Sequence, residues 1–277
     1  MLPLPDTVQL ISKERVGSAR TNDVYRCTGK LGEREFAFYL KIARVEAGLP
    51  CREAEILALL GEADVPIPSV LWCAENGESI ALEELEGDTL TEHIKSVAVG
   101  NTRSLFLLRQ YGRCLAQIHK LSPTPGYEAR GEFYELEQEE VKLEFPRFRS
   151  VVRWLDKNRP PTKREVFCHG DYNPDNVLLR GREITGVLDW EYAGFGWCEF
   201  DVAWGMRYRG TPIEGACERR VFLDGYHEVA PLDDHALTWC EALVNLHFAC
   251  WRRERDPQGT ELHLARAEAA IVQGRGA

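Results

Sequence analysis

The residues best suited to chemistry lie between His169 and Asp189. Residues 169–176 read HGDYNPDN, which gathers one His, two Asp and two Asn in a single short stretch. Asp171 and Asn176 are five residues apart, and Asp189 follows thirteen residues later. Pro174 prevents a continuous helix between the first two, so both must sit on an irregular loop. The apolar runs 177–179 (VLL) and 184–188 (ITGVL) predict a short hairpin that carries Asn176 in and Asp189 out. Three oxygen-bearing side chains then meet at one mouth. One carboxylate can take a proton from a hydroxyl, while an amide oxygen and a second carboxylate suit Mg²⁺, which prefers hard oxygen ligands. Asp and Asn also serve as ordinary turn formers and caps, so the surrounding elements must decide.

Those elements come in two kinds. Residues 8–16, 23–28 and 35–42 alternate as strands and form a meander, with Phe36, Phe38, Leu40 and Ile42 on one face and Tyr39 and Lys41 on the other. A helix is predicted over 50–61, with Pro in its first turn and Gly at its stop. Glu53, Ile56, Leu57 and Leu60 share one stripe of it, so an acid on an apolar face needs an internal partner; Glu55 lies off the stripe. Two more strands join at Asn76-Gly77. From about residue 88 the pattern turns helical: a helix over 102–120, a Pro- and Gly-bearing loop over 122–131, a helix over 134–156, and helices after 200 to the end. The expected fold is α+β with two lobes: residues 1–86, a small antiparallel sheet with one key helix, and residues 87–277, larger and mostly helical.

Bulk properties set limits. The chain has 277 residues, 44% apolar and 28% charged, as expected of an ordinary globular protein. No apolar stretch approaches the ~18 residues needed to span a bilayer, and the start lacks a secretion signal, so a cytoplasmic location is expected. Nine scattered Cys with no CxxC pair predict reduced thiols rather than disulfides or zinc. A net charge of −10 argues against nucleic acid as partner.

With these residues in view, HGDYNPDN matches the kinase catalytic-loop spacing His-x-Asp-x-x-x-x-Asn. The His-Gly-Asp form, followed by Asp-Trp-Glu at 189–191, resembles the aminoglycoside phosphotransferase and choline kinase family, which has a protein-kinase-like fold. FYLKI, REAEILALL, VPIPSVLW, LEELEG, GRCLAQIH and EFDVA extend the resemblance over most of the chain. It implies ATP (or GTP) and Mg²⁺ as cofactors, and transfer of the γ-phosphoryl group to a hydroxyl of a small molecule. Asp171 would accept the hydroxyl proton. Asn176 and Asp189 would hold the metal. Lys41 would contact the α- and β-phosphates and pair with Glu53. Ser18 to Asn22 would cover the phosphates, and the backbone near Glu83–Leu85 would meet the adenine edge.

Two features depart from protein kinases: only Gly17 precedes the phosphate loop, and no Ala-Pro-Glu segment follows Asp189, which argues against a protein substrate. His169 is expected to be an architectural hydrogen-bonder, and Asp201 to cap a helix or brace the catalytic loop. The acceptor pocket is expected in the helical lobe, where residues 190–277 hold fourteen acids against nine Arg and no Lys. Carboxylates with Trp can hold ammonium groups, and Glu191 and Trp197 are the substrate candidates nearest Asp189. An amine-bearing antibiotic such as an aminoglycoside is the first expectation, with choline, ethanolamine, a homoserine-like compound or a sugar as the alternative. Two other classes compete: a non-catalytic nucleotide-binding module and a metal-dependent hydrolase.

Overall fold

The computed structural model describes residues 5, 7–18, 22–44, 50–61, 63–95, 101–123, 146–161, 165–207, 213 and 215–274. The alternating segments become β1 (Gln9–Ser18), β2 (Asn22–Leu31) and β3 (Arg34–Ala43). Helix α1 (Cys51–Leu59) follows, then β4 (Val70–Cys73) and β5 (Ser79–Glu83) around a turn at Gly77, whose φ of 72° suits glycine. The five strands form one antiparallel sheet in the order β1-β2-β3-β5-β4.

Side-chain alternation divides the sheet's two faces. Phe38, Leu40, Cys27 and Ala81 bury together on one face. Ile80 and Leu82, one step out of phase with Ala81, join the main core with Ile56 and Leu57 of α1. On α1 the predicted stripe is buried throughout: Glu53, Ile56, Leu57 and Leu60. Glu55 is exposed.

The rest of the chain contributes β6 (Asp88–Thr89), α2 (Leu90–Lys95), α3 (Thr102–Ile118), α4 (Pro146–Lys157), β7 (Glu165–Cys168), β8 (Val177–Arg180), β9 (Glu183–Val187) and β10 (Gly194–Trp197). It ends with α5 (Cys198–Met206), α6 (Ala216–His227), α7 (Asp234–Arg252) and α8 (Pro257–Gly274). The predicted hairpin is β8–β9, with β6 on its outer edge, and β7 pairs with β10. Of the helix expected over 134–156, the described part starts at Pro146; residues 134–145, and most of the loop expected over 122–131, lie outside the described residues. Residues 194–197 form β10 directly before α5, a short strand that the sequence does not announce. Four residues, two of them glycine, are too few to set a strand period, and the partner strand β7 lies earlier in the chain. Among the described residues, no helix is long and apolar enough to cross a membrane.

Candidate active site

Lys41 lies on β3 opposite Val24 of β2 and Ile80 of β5, which aims its side chain off the sheet toward α1. Its Nζ donates to both carboxylate oxygens of Glu53, at 2.9 and 2.7 Å, and to Asp189 Oδ1 at 2.9 Å. Glu53 also accepts from the Trp190 backbone N–H at 3.2 Å. The acid on the apolar stripe therefore has its internal partner. Burial opposes the Lys41 charge, but Asp189 and Glu53 outweigh it and hold the ammonium above its ordinary range. For Asp189, burial favours protonation, and Lys41 outweighs it, so its carboxyl stays below the usual range.

The catalytic-loop candidates are held by backbone. Asn173 caps the 3₁₀ turn Pro174–Asn176. Asn176 enters the hairpin, and its carbonyl accepts from the Leu188 N–H at 2.8 Å, which closes the mouth beside Asp189. Asp189 has φ 66°, a left-handed conformation that costs energy in a non-glycine residue. Asn176 Nδ2 donates to the Asp171 carbonyl at 3.0 Å, fixing the amide's orientation. An amide oxygen and a carboxylate at adjoining positions form a donor set that fits Mg²⁺.

Asp171 carries the feature that sequence reasoning missed. Its Oδ1 accepts from Trp204 Nε1 at 2.6 Å and from Arg207 Nη2 at 3.1 Å. Burial pushes its pKa up to about 6, even though Arg207 works against that shift. The signal was present: Asp201, Trp204 and Arg207 fall three residues apart and so share one face of α5 and its C-cap.

Asp201 braces the loop rather than capping the helix, whose N-cap is Trp197. It accepts from the backbone N–H groups of His169 and Gly170 at 2.8 and 3.1 Å, and His119 Nε2 lies 3.1 Å away. His169 Nε2–H donates to the Leu188 carbonyl at 2.9 Å, while its Nδ1 accepts from the Asp171 N–H at 3.3 Å. That fixes a neutral tautomer, and burial lowers the ring's pKa. Gly170 has φ 82°, and an added Cβ would lie 2.4 Å from the Tyr192 carbonyl oxygen, so only glycine fits.

A cleft of about 450 Å³ opens between the sheet and the hairpin. Val24, Leu82, Leu85, Leu178 and Leu188 give it apolar walls, and Lys41, Asn176 and Asp189 give it a charged end. Such a slot suits a flat ring at one end and phosphates at the other. Glu83 lines it too, with its carboxylate turned to Ser69 Oγ at 2.7 Å. Ser18 ends β1 opposite Asp23, and residues 19–21 of the expected phosphate loop lie outside the described residues.

The two substrate candidates are not brought to an open pocket. Asn22 Nδ2 donates to Glu191 Oε2 at 2.6 Å, and both residues are buried, so Glu191 ties the start of β2 to the segment after Asp189. Arg52 of α1 adds to that tie by donating to the Glu191 and Ala193 carbonyls. Trp197 is buried in the main core, 5.3 Å from the Trp239 ring centre. The alternation of β10 turns it inward, and Trp204 instead stands beside Asp171.

A family model described as "phosphotransferase enzyme family" matches residues 14–240. Homoserine kinase from Methylobacillus glycogenes is 34% identical over 119 residues, which is 36% of this chain and 34% of that protein. Aminoglycoside 3'-phosphotransferase from Niallia circulans is 27% identical over 158 residues, 51% of this chain and 58% of that protein. The chain thus spans between a third and a little over half of the length of these relatives. Among solved structures, an aminoglycoside phosphotransferase APH(4)-Ia in ternary complex with AMP-PNP and hygromycin B has TM-score 0.69 at 16% identity, covering 97% of this chain and 96% of that one. A choline/ethanolamine kinase family protein from Mesorhizobium loti has TM-score 0.64 at 17% identity, covering 94% and 88%. At such identities the likeness shows the fold, which is protein-kinase-like with a sheet-bearing N-terminal and a helical C-terminal region. The family match covers most of the chain, from inside β1 to the first third of α7, so the protein belongs to the phosphotransferase enzyme family.

Proposed function

We propose that this chain transfers the γ-phosphoryl group of ATP, with GTP as the alternative donor, to a hydroxyl of a small molecule. The observation that supports this most is the meeting of Asp171, Asn176 and Asp189 around one hairpin mouth, with Lys41 Nζ 2.9 Å from Asp189 at the charged end of the cleft. In this reading Asp171 takes the acceptor's proton and aligns its oxygen. Asn176 and Asp189 hold Mg²⁺, which neutralises charge on the phosphates. Lys41, fixed by Glu53, binds the α- and β-phosphates, and the Glu83–Leu85 backbone meets the base. Ser18 to Asn22 cover the phosphates, with Asn22 anchored through Glu191. The lobes divide near 86–87. Catalysis comes from positioning and charge stabilisation.

For the acceptor, the amine-bearing antibiotic requires carboxylates facing the mouth. Several acids of the helical lobe are instead engaged within the protein: Glu191 with Asn22, Glu241 with Arg219, Glu228 with Arg109, and Glu261 and Glu268 with Arg147. We therefore favour a small metabolic acceptor of the homoserine-like kind over an aminoglycoside. The test is ³¹P NMR of the protein with Mg-ATP and a panel of aminoglycosides, amino alcohols, hydroxy amino acids and sugars. A new phosphomonoester signal with one acceptor class is expected. Inorganic phosphate as the only product would mean a hydrolase, and silence with bound nucleotide would mean a non-catalytic module.

A further inference from the structure

Asp171 sits on an irregular loop, and the loop fixes its backbone more firmly than its side chain. Its N–H donates to His169 Nδ1, and its carbonyl accepts from Asn173 Nδ2 and Asn176 Nδ2, both at 3.0 Å. The carboxylate can still turn about its last bond, whose torsion is broad and roughly two-fold for Asp. Which oxygen meets an incoming hydroxyl is therefore decided elsewhere. Two donors from the α5 side decide it: Trp204 Nε1–H at 2.6 Å and Arg207 Nη2–H at 3.1 Å land on the same atom, Oδ1. Asn173 adds a weaker pull on the carboxylate from the loop.

Trp204 is the fixed member of this pair. Its indole carries one N–H in the ring plane and no acceptor, so it holds the carboxylate without exchanging a proton with it. The residue is buried, with Phe200 stacked one turn earlier on α5 at 5.9 Å and Phe248 of α7 at 5.1 Å between ring centres. Arg207 is a long side chain that needs a platform to hold its direction. That platform is the Trp204 ring itself, 3.8 Å from the guanidinium carbon, with the Phe248 ring at 4.2 Å. Trp204 thus acts on Asp171 twice, through its own N–H and by steadying Arg207. Three residues earlier on the same helix, Asp201 accepts from the His169 and Gly170 N–H groups. One face of α5 therefore sets the backbone of the loop with one residue and the side chain of Asp171 with the next.

Resting on the phosphotransfer reading above, we propose that Trp204 is the positioning residue of the base: its indole N–H holds Asp171 Oδ1 so that Oδ2 takes the proton of the acceptor hydroxyl. In that step the acceptor oxygen bonds the γ-phosphorus while its proton passes to Oδ2. The bond from the γ-phosphorus to the β,γ-bridging oxygen breaks, and ADP leaves with that electron pair. A misplacement of about 1 Å in a reacting group can cost about 100-fold in rate. A hydrogen bond that sets the angle of this carboxylate is therefore felt in turnover and not in the binding of either substrate.

The test replaces Trp204 with 3-benzothienylalanine, which keeps the two-ring outline and the platform for Arg207 but has sulfur in place of the N–H. A second protein carries 5-fluorotryptophan at the same position, which keeps the N–H. Turnover of Mg-ATP is followed with the acceptor that gives the most phosphomonoester in the panel above, and nucleotide affinity by titration calorimetry with Mg-ADP. The benzothienyl protein should lose about ten-fold or more in kcat, with the KM for the acceptor and the Mg-ADP dissociation constant held within about two-fold of wild type. The fluorotryptophan protein should match wild type in all three. An unchanged kcat in the benzothienyl protein, an equal loss in both proteins, or a loss confined to KM or to nucleotide affinity would overturn the proposal and leave the phosphotransfer reading standing. Wild type that forms no phosphomonoester with any acceptor would instead remove that reading, and the proposal with it.

Discussion

Lys41 Nζ lies 2.9 Å from Asp189 Oδ1, so a strand lysine and a residue two past the end of β9 touch across the cleft. Glu53 holds the same ammonium from α1, and its carboxylate also takes the Trp190 N–H. Sheet, helix and the segment after β9 are thereby joined at one point, and most of that point is buried, with Lys41 11% and Glu53 0% exposed.

This junction predicts strong coupling. A double-mutant cycle with Lys41→Met and Glu53→Gln, followed by chemical denaturation, should give an interaction energy of about 1–3 kcal/mol. Lys41→Met alone should raise the KM for ATP and lower kcat. A coupling energy near zero would remove the pair from the account.

Asp189 should matter to metal more than to fold. It carries a left-handed φ of 66°, so Asp189→Gly relieves backbone strain while removing the carboxylate. The expected outcome is a thermal midpoint equal to or above wild type in the absence of nucleotide, with Mg²⁺-nucleotide affinity reduced at least ten-fold in a Mg²⁺ titration.

The pH dependence follows from Asp171. Its carboxyl sits at about 6, raised by burial, and only the ionised form can accept a proton. The rate at low acceptor concentration should therefore fall as pH drops through about 6 and level off above it. Arg207 lowers the Asp171 pKa, so removing it with Arg207→Gln should move the acid limb to higher pH. A limb that stays in place would show that the 3.1 Å contact does not tune the base.

Asp201 should be a stability residue. It accepts from two backbone N–H groups of the catalytic loop with its two oxygens. In Asp201→Asn, one of these oxygens is replaced by an amide NH₂ donor, leaving a buried N–H without an acceptor, at a cost of about 1–3 kcal/mol. Thermal unfolding should show the loss, with nucleotide affinity less affected than turnover.

Legibility in the sequence followed the range of the forces involved. The meander, α1 and the β8–β9 hairpin were readable because their burial periods of 2 and 3.6 are local. Glu53 announced itself as an acid where an apolar residue belonged. What escaped was the pairing of β10 with β7, since four residues, two of them glycine, are too few to set a period and the partner is distant in sequence. Glu191 and Trp197 were chosen for closeness in sequence to Asp189. Packing turns one to Asn22 and the other into the core, and it brings Trp204 and Arg207 to Asp171 from a helix face.

The central claim is that Asp171 serves as the base in phosphoryl transfer to a hydroxyl. Its most direct test is acceptor-dependent ADP release from Mg-ATP by wild type and Asp171→Asn, with nucleotide affinity measured on the same samples. The account predicts a loss of ~100-fold or more in turnover, with the nucleotide dissociation constant unchanged. Turnover within a few-fold of wild type in the variant would contradict it.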